Sequence, residues 1–139
     1  MGDEVSGVIR LSVAERAGHR CENCLVHQDD SFTPHQIDHI VSRKDGGDSS
    51  GNLALACIRR NSWKGSDIAS FGREPGRLVP LFHPRRDLWS DRFRLEDGEI
   101  VPLTETAAAT VCLLRLNLHG RMTERLALSQ SGRYPRGNQ

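Results

Sequence analysis

The sequence predicts one small domain of the α+β class. Its 139 residues fall within the usual size of a single domain. Residues 36–41 alternate in polarity and include β-branched side chains, which indicates a strand, and residues 53–56 fit a second short strand. A helix is expected from Cys57 to about Ser70. The middle of the chain therefore predicts two strands followed by a helix.

The flanking segments predict further short elements. Residues 10–18 fit a helix, with Ser12 as its N-cap and Gly18 just after its end. The Asp97-Gly98 pair is typical of a hairpin turn, and an Ala- and Leu-rich stretch follows it. We expect the two hairpin strands and two later helices at residues 92–95, 99–102, 105–117 and 120–128.

The remaining segments are expected to form loops and a tail. Residues 42–51 are rich in Gly, Ser and Asp, and residues 72–84 in Pro and Gly, so neither should form regular structure. The expected organisation is a single domain at 1–128, with its core at 17–70 and an extension at 71–128, and a disordered tail at 129–139.

Composition excludes a membrane protein. The mean hydropathy is −0.51, and no apolar run approaches the roughly 20 residues that a spanning helix needs. The first four residues are acidic and lead into no apolar segment, so a secretory signal is not expected. We expect a cytoplasmic protein without a membrane partner.

Positive charge is concentrated in the middle of the chain. The whole sequence carries a net charge of +1. Residues 1–34 carry −3, residues 35–94 carry +4, and residues 95–139 are balanced. A polyanion would bind most favourably to the central segment.

The cysteines indicate a metal knuckle. Cys21 and Cys24 form a Cys-x-x-Cys pair, which is typical of a zinc knuckle or a redox pair. A redox pair should follow a strand in a βαβ pattern, which is missing here, so zinc is the better interpretation. The alternative is that Cys21, Cys24 and Cys57 pack as small buried apolar residues. Cys112 lies in an apolar helix and is expected in the core.

Four polar residues are candidates for a catalytic site. Oxygen ligands from Asp38 and Asn61, completed by water and phosphate, would suit Mg²⁺. His39 could take a proton from water near neutral pH, and Asn52 follows the Gly-rich loop. Neighbouring side chains of a strand point to opposite faces, so Asp38 and His39 should face different parts of a substrate. The basic residues that could hold phosphates, or form a solvated basic face, are Arg43, Lys44, Arg59, Arg60 and Lys64.

Between residues 17 and 66 the chain carries, in order, Cys-x-x-Cys, Asp-His-Ile, Gly-Gly, Asn-Leu-x-Leu-x-Cys and Asn-x-x-Lys-Gly. This pattern resembles the HNH endonucleases, in the form with Asn in place of the third His. Residues 79–90 resemble an extension of one small bacterial HNH subgroup. The resemblance implies a ββα-metal (His-Me finger) core with flanking helices and a C-terminal hairpin and helix extension.

The resemblance also implies a function and residue roles. The expected activity is metal-dependent hydrolysis of phosphodiester bonds in DNA, leaving 5′-phosphate and 3′-hydroxyl ends. His39 would activate water, Asn52 would hold the loop that orients His39, and Asp38 and Asn61 would bind Mg²⁺ or Mn²⁺. The alternative is a catalytically inactive nucleic-acid-binding module on the same scaffold. The motif leaves open whether the protein is a monomer or a homodimer.

One position departs from the family pattern. Zinc-bearing members carry a second Cys-x-x-Cys just before the last Asn, whereas this chain has Arg60 where the fourth cysteine would be. A structural zinc normally needs four ligands. Cys21, Cys24 and Cys57 are therefore candidate zinc ligands, and either His27 or His19 completes the site or zinc is weak or lost.

Overall fold

The computed structural model describes residues 5–135, which form a mixed α and β structure with small sheets. The helices are α1 (Gly7–Arg16), α2 (Arg43–Gly46), α3 (Ile58–Lys64), α4 (Trp89–Arg92), α5 (Glu105–Leu113) and α6 (His119–Gln130). The strands are β1 (Gln36–His39), β2 (Leu53–Ala56), β3 (Ala69–Phe71), β4 (Leu78–Pro80), β5 (Phe93–Glu96) and β6 (Glu99–Pro102). Three antiparallel pairs form within this part of the chain: β1 with β2, β3 with β4, and β5 with β6.

The two predicted strands in the middle of the chain are present and pair with each other. In their register Gln36 lies opposite Ala56 and His39 lies opposite Leu53. All four residues of β2 are buried, and α3 begins directly after this strand. The two strands and the helix therefore follow one another in the predicted order.

Helix α3 is shorter than predicted. It ends at Lys64 instead of near Ser70, because Gly65 adopts a left-handed backbone with φ of 54°. The residues after this turn are then extended, and β3 pairs with β4. The prediction that 72–84 is wholly irregular is therefore wrong, since β4 lies inside it.

Two further boundaries differ from the prediction. Helix α1 begins after Ser6, whose hydroxyl accepts a hydrogen bond from the Ile9 amide at 3.3 Å, so Ser12 lies inside the helix and does not cap it. The segment 42–51 contains the single turn of α2 as well as a 3-10 turn at Ser50–Asn52. A short helical turn next to glycines was not expected from composition alone.

The predicted hairpin is confirmed. Asp97 and Gly98 form its two-residue turn with φ of 51° and 87°, as the right-handed twist of the flanking strands requires. A Cβ atom on Gly98 would lie 2.4 Å from the Met122 carbonyl oxygen. Only glycine therefore allows the turn to pack so closely against α6.

The main hydrophobic cluster joins the N-terminal and C-terminal parts of the chain. Its fully or largely buried members are Cys21, Cys24, Leu25, Val26, Ala56, Phe82, Phe93, Ile100, Ala107, Leu114, Leu116 and Tyr134. A smaller cluster packs α1 against β2 through Val5, Val13, Leu53 and Leu55. The segment carrying the Cys-x-x-Cys pair and the C-terminal extension thus bury each other.

The expected tail is partly ordered. Helix α6 continues through Gln130, and Tyr134 is buried, with its hydroxyl donating a hydrogen bond to the Cys24 carbonyl at 2.8 Å. Disorder from Ser129 is therefore wrong up to residue 135, while 136–139 lie outside the described residues. Among residues 5–135, no helix has the length and apolar character to span a membrane.

Candidate active site

Strand β1 presents Asp38 and His39 to different partners. Asp38 is buried, with an exposed fraction of 4 %, and its carboxylate faces Lys64 of α3. His39 is more exposed and contacts Asp48 in the loop between the strands. This arrangement follows from the alternation of side chains along a strand.

Lys64 binds the buried carboxylate of Asp38. Its Nζ lies 3.4 Å from Asp38 Oδ1 and donates to the carbonyl oxygens of His39 at 3.2 Å and Ile40 at 3.1 Å. Burial raises the pKa of Asp38, and the positive charge of Lys64 opposes that shift. A nearby cation therefore stabilises the ionised form of this buried carboxylate.

Asn61 lies one helical turn before Lys64 and contacts the same strand. Its Nδ2 donates to Gln36 Oε1 at 2.7 Å. Residues three apart on α3 thus reach residues two apart on β1, since Asn61 meets Gln36 and Lys64 meets Asp38. Because this hydrogen bond assigns the amide nitrogen to Gln36, the Asn61 side-chain oxygen remains available as a hard donor.

His39 is held by a carboxylate that the sequence pattern did not indicate. Its Nε2 lies 2.8 Å from Asp48 Oδ1. Arg43 binds the same carboxylate with two hydrogen bonds, from Nε to Oδ1 at 2.8 Å and from Nη2 to Oδ2 at 2.7 Å. These bonds from Arg43, and then the bond from His39, lower the pKa of Asp48 to about 2. The only sequence signal for Asp48 is an acidic residue directly after Gly46-Gly47.

Asn52 joins the two ends of the loop that carries Asp48. Its Oδ1 accepts from the Val41 amide at 2.8 Å, and its Nδ2 donates to the carbonyls of Val41 at 2.8 Å and Gly47 at 2.9 Å. The side chain is buried, and a Cβ on Gly46 would lie 2.5 Å from its Nδ2. Asn52 therefore ties the backbone that precedes Asp48 to the chain that follows it.

Three thiols converge, one of them from the N-cap residue of α3. The Sγ atoms of Cys21, Cys24 and Cys57 all lie within 4.8 Å of one another, and those of Cys24 and Cys57 are 4.0 Å apart. Cys21 and Cys24 are buried, and Cys57 is half-buried. Converging soft donors at this spacing fit three ligands of a zinc ion.

The segment that carries the thiols and the polar site residues matches a known protein family. Residues 21–67 match the HNH endonuclease family model. The match identifies an HNH domain in about a third of the 139 residues. It spans the three thiols, both strands of the first sheet and the whole of α3. A search of curated proteins finds no significant match. HNH nucleases act on DNA and use divalent metals, so the HNH domain suggests a nuclease-type function for the chain.

Two predicted zinc-site residues lie outside the thiol cluster of the HNH domain. His27 Nδ1 accepts a hydrogen bond from the Asp29 amide at 3.0 Å, so His27 caps the 3-10 turn at Gln28–Asp30. Neither His27 nor His19 joins the cluster, and within residues 5–135 no further His, Cys, Asp or Glu does so. Cys112, expected in the core, is exposed on α5.

The five basic residues of the HNH domain separate into different environments. Lys44 and Arg59 are exposed, and Arg43 is paired with Asp48. Arg60 and Lys64 have exposed fractions of only 2 % and 6 %. The charged groups of Arg60 and Lys64 bind internal carbonyl oxygens, and contact of these two residues with nucleic acid stays a prediction.

A cavity of about 300 Å³ begins next to the end of β1 in the HNH domain. Ile40, Val41 and Lys64 line one side, and His83 and Arg86 of the extension contribute to the other. Burial, and then the charge of Arg86, lower the pKa of His83. The extension therefore contributes polar groups beside the family motif, which sequence reasoning did not predict.

Proposed function

We propose that this chain is a metal-dependent HNH endonuclease that hydrolyses phosphodiester bonds in DNA. The observation that carries the proposal is the pairing of His39 with Asp48 on one side of β1, with the buried carboxylate of Asp38 on the other. A proton acceptor and a cation-binding carboxylate thus occupy adjacent positions at the end of one strand. The HNH match supports the same chemistry.

Asp38 and Asn61 would hold Mg²⁺ or Mn²⁺. The donor set fits a hard cation, because the carboxylate of Asp38 and the amide oxygen of Asn61 are both oxygen ligands, and Mg²⁺ often uses few protein ligands beside water and phosphate. When bound, such a cation would supply positive charge to the phosphate and to the leaving oxygen. Lys64 keeps the Asp38 carboxylate oriented toward α3.

His39 would take the proton from the attacking water. The ionised Asp48 carboxylate can only accept hydrogen bonds, so its contact at 2.8 Å assigns the proton to Nε2 of His39. Nδ1 is then the basic nitrogen of the ring. Asp48 would also stabilise the imidazolium that forms, while Arg43 fixes Asp48 and Asn52 fixes the loop backbone.

The DNA backbone would approach the face on which His39 is exposed. Lys44 and Arg59 are exposed basic residues of the HNH domain, and the central segment carries the net positive charge of the chain. Such charges attract phosphates without reading base sequence. We therefore expect binding that weakens as salt concentration rises.

Cleavage of supercoiled plasmid tests this proposal. We expect nicking or cleavage in Mg²⁺ or Mn²⁺, its loss in EDTA, and its loss in His39→Ala. The matched control is His119→Ala, which removes an exposed imidazole at the start of α6 and should keep full activity. DNA binding without cleavage under every metal tried would contradict the proposal and support an inactive binding module.

A further inference from the structure

The thiol cluster has three protein ligands where a closed zinc site has four. Cys21, Cys24 and Cys57 form a triangle of sulfur atoms within 4.8 Å. Arg60 follows Cys57 at the spacing of a Cys-x-x-Cys pair, so it stands where a fourth thiol would complete the tetrahedron. A guanidinium is already fully bonded to protons and cannot ligate a metal.

Arg60 directs its guanidinium to backbone carbonyl oxygens of the C-terminal part of the chain. Its Nη1 donates to the carbonyl oxygens of Leu114 at 2.5 Å and Arg115 at 2.9 Å, at the end of α5. Its Nε is buried and has no hydrogen-bond partner among the described residues. Arg60 therefore uses its donors on backbone carbonyl oxygens and adds no fourth ligand to the three sulfur atoms.

A cavity of about 220 Å³ lies beside two of the three thiols. Cys24, Cys57 and Arg60 all line it. This volume is more than ten times what one water molecule needs, so it can admit a small ligand. The charged side chains in its wall are predominantly arginines: Arg59, Arg60, Arg121 and Arg125, against Asp30 and Glu124.

We infer that Cys21, Cys24 and Cys57 form a three-thiolate zinc centre whose fourth coordination position is open to this cavity and takes a small soft anion, such as a thiolate. Three thiolates and a divalent cation carry a net charge of −1, which the buried Arg60 neutralises. An added anion then enters a neutral site beside further arginines. Three protein ligands with one exchangeable position are typical of reactive zinc sites, whereas structural sites are closed.

Cobalt(II) provides the test, because it adopts the tetrahedral thiolate site of zinc and absorbs visible light. The wild type should bind one cobalt per chain with a charge-transfer band, and 2-mercaptoethanol should shift its spectrum. Arg60→Cys should close the site, bind cobalt more than about tenfold tighter, and show a spectrum that 2-mercaptoethanol leaves unchanged. Arg60→Ser is the matched control, since it removes the same cation but offers no thiolate. Its spectrum should still shift with 2-mercaptoethanol, but at a higher concentration than in the wild type, because the neutralising charge is lost.

Two results would overturn the inference. In the first, the wild type binds no cobalt, or binds it equally well after Cys57→Ser. In the second, cobalt binds but its spectrum does not respond to 2-mercaptoethanol. Circular dichroism of each variant identifies one that fails to fold, and the wild-type titration decides the question even if Arg60→Cys does. Neither readout depends on DNA cleavage, so the outcome is separate from that of the proposed function.

Discussion

Lys64 Nζ lies 3.4 Å from Asp38 Oδ1 in the interior, and the two side chains have exposed fractions of 7 % and 5 %. The ammonium also binds the carbonyl oxygens of the two residues that follow Asp38. The lysine therefore ties α3 to the end of β1. Removing one member of a buried ion pair leaves the other charge without compensation, which is far more costly than losing a surface pair.

Replacing Lys64 should therefore destabilise the fold. We expect Lys64→Met to lower the free energy of unfolding by about 3 kcal/mol, measured by urea denaturation at pH 7 with EDTA present. Lys44→Met removes an exposed lysine of the same domain and should change it by less than about 0.5 kcal/mol. Equal stability of the two variants would show that the Asp38 pair contributes little.

Asp48 should control the cleavage rate through His39. We expect Asp48→Asn to slow plasmid cleavage by roughly 10- to 100-fold while DNA affinity stays unchanged, because Asp48 orients the imidazole of His39 and would stabilise the imidazolium that forms. The control is Asp45→Asn in α2, which changes an exposed carboxylate that accepts a hydrogen bond from the Ser42 hydroxyl. In a His39→Ala background Asp48→Asn should add no further loss. A separate, additive loss would argue against action through His39.

The same carboxylate predicts a pH dependence of stability. The pKa of Asp48 is lowered to about 2 in the folded protein, against roughly 3.9 for an unfolded aspartate. A depressed pKa means that its contribution is present above about pH 4 and is lost as the pH falls toward 2. The urea midpoint of Asp48→Asn should therefore lie below that of the wild type at pH 5, and by less at pH 3. A difference in urea midpoint that stays constant down to pH 3 would contradict the lowered pKa of Asp48.

Gly46 should be needed for space and not for backbone freedom. A Cβ at Gly46 would lie 2.5 Å from Asn52 Nδ2. Three hydrogen bonds, two from Nδ2 and one to Oδ1, hold the side-chain amide of Asn52 in place. We expect Gly46→Ala to destabilise the protein by about 1–3 kcal/mol and to reduce cleavage. Gly51→Ala, where a Cβ meets nothing within 4 Å, should be neutral within about 0.5 kcal/mol in the same urea titration. If both variants behave alike, the close packing against Asn52 is not important.

Local patterns predicted the central strand pair and the hairpin, because both signals are short-range. The alternation over 36–41 marks β1, and Asp97-Gly98 marks the turn. The end of α3 was not predicted, since a single left-handed glycine outweighed the helix-forming residues around it. Helix propensity is a weak guide to the end of a helix where the backbone conformation of one residue decides it.

The candidate site was predicted in its residues but not in its partners. The motif pointed to Asp38, His39, Asn52 and Asn61, whereas the contact between Asp48 and His39 depends on how the intervening loop folds back. In a sequence, Arg60 and Lys64 look like surface cations. The sequence does not reveal that backbone carbonyl oxygens inside the fold accept hydrogen bonds from their charged groups.

The position of Tyr134 bears on how the chain can fold during synthesis. This side chain closes the same cluster that contains Cys21 and Cys24, more than a hundred residues earlier. A nascent chain that has left the ribosome only as far as Gly65 carries every residue of the HNH motif but none of the later side chains that cover it. The HNH motif therefore stays partly uncovered until nearly all of the described chain has left the ribosome.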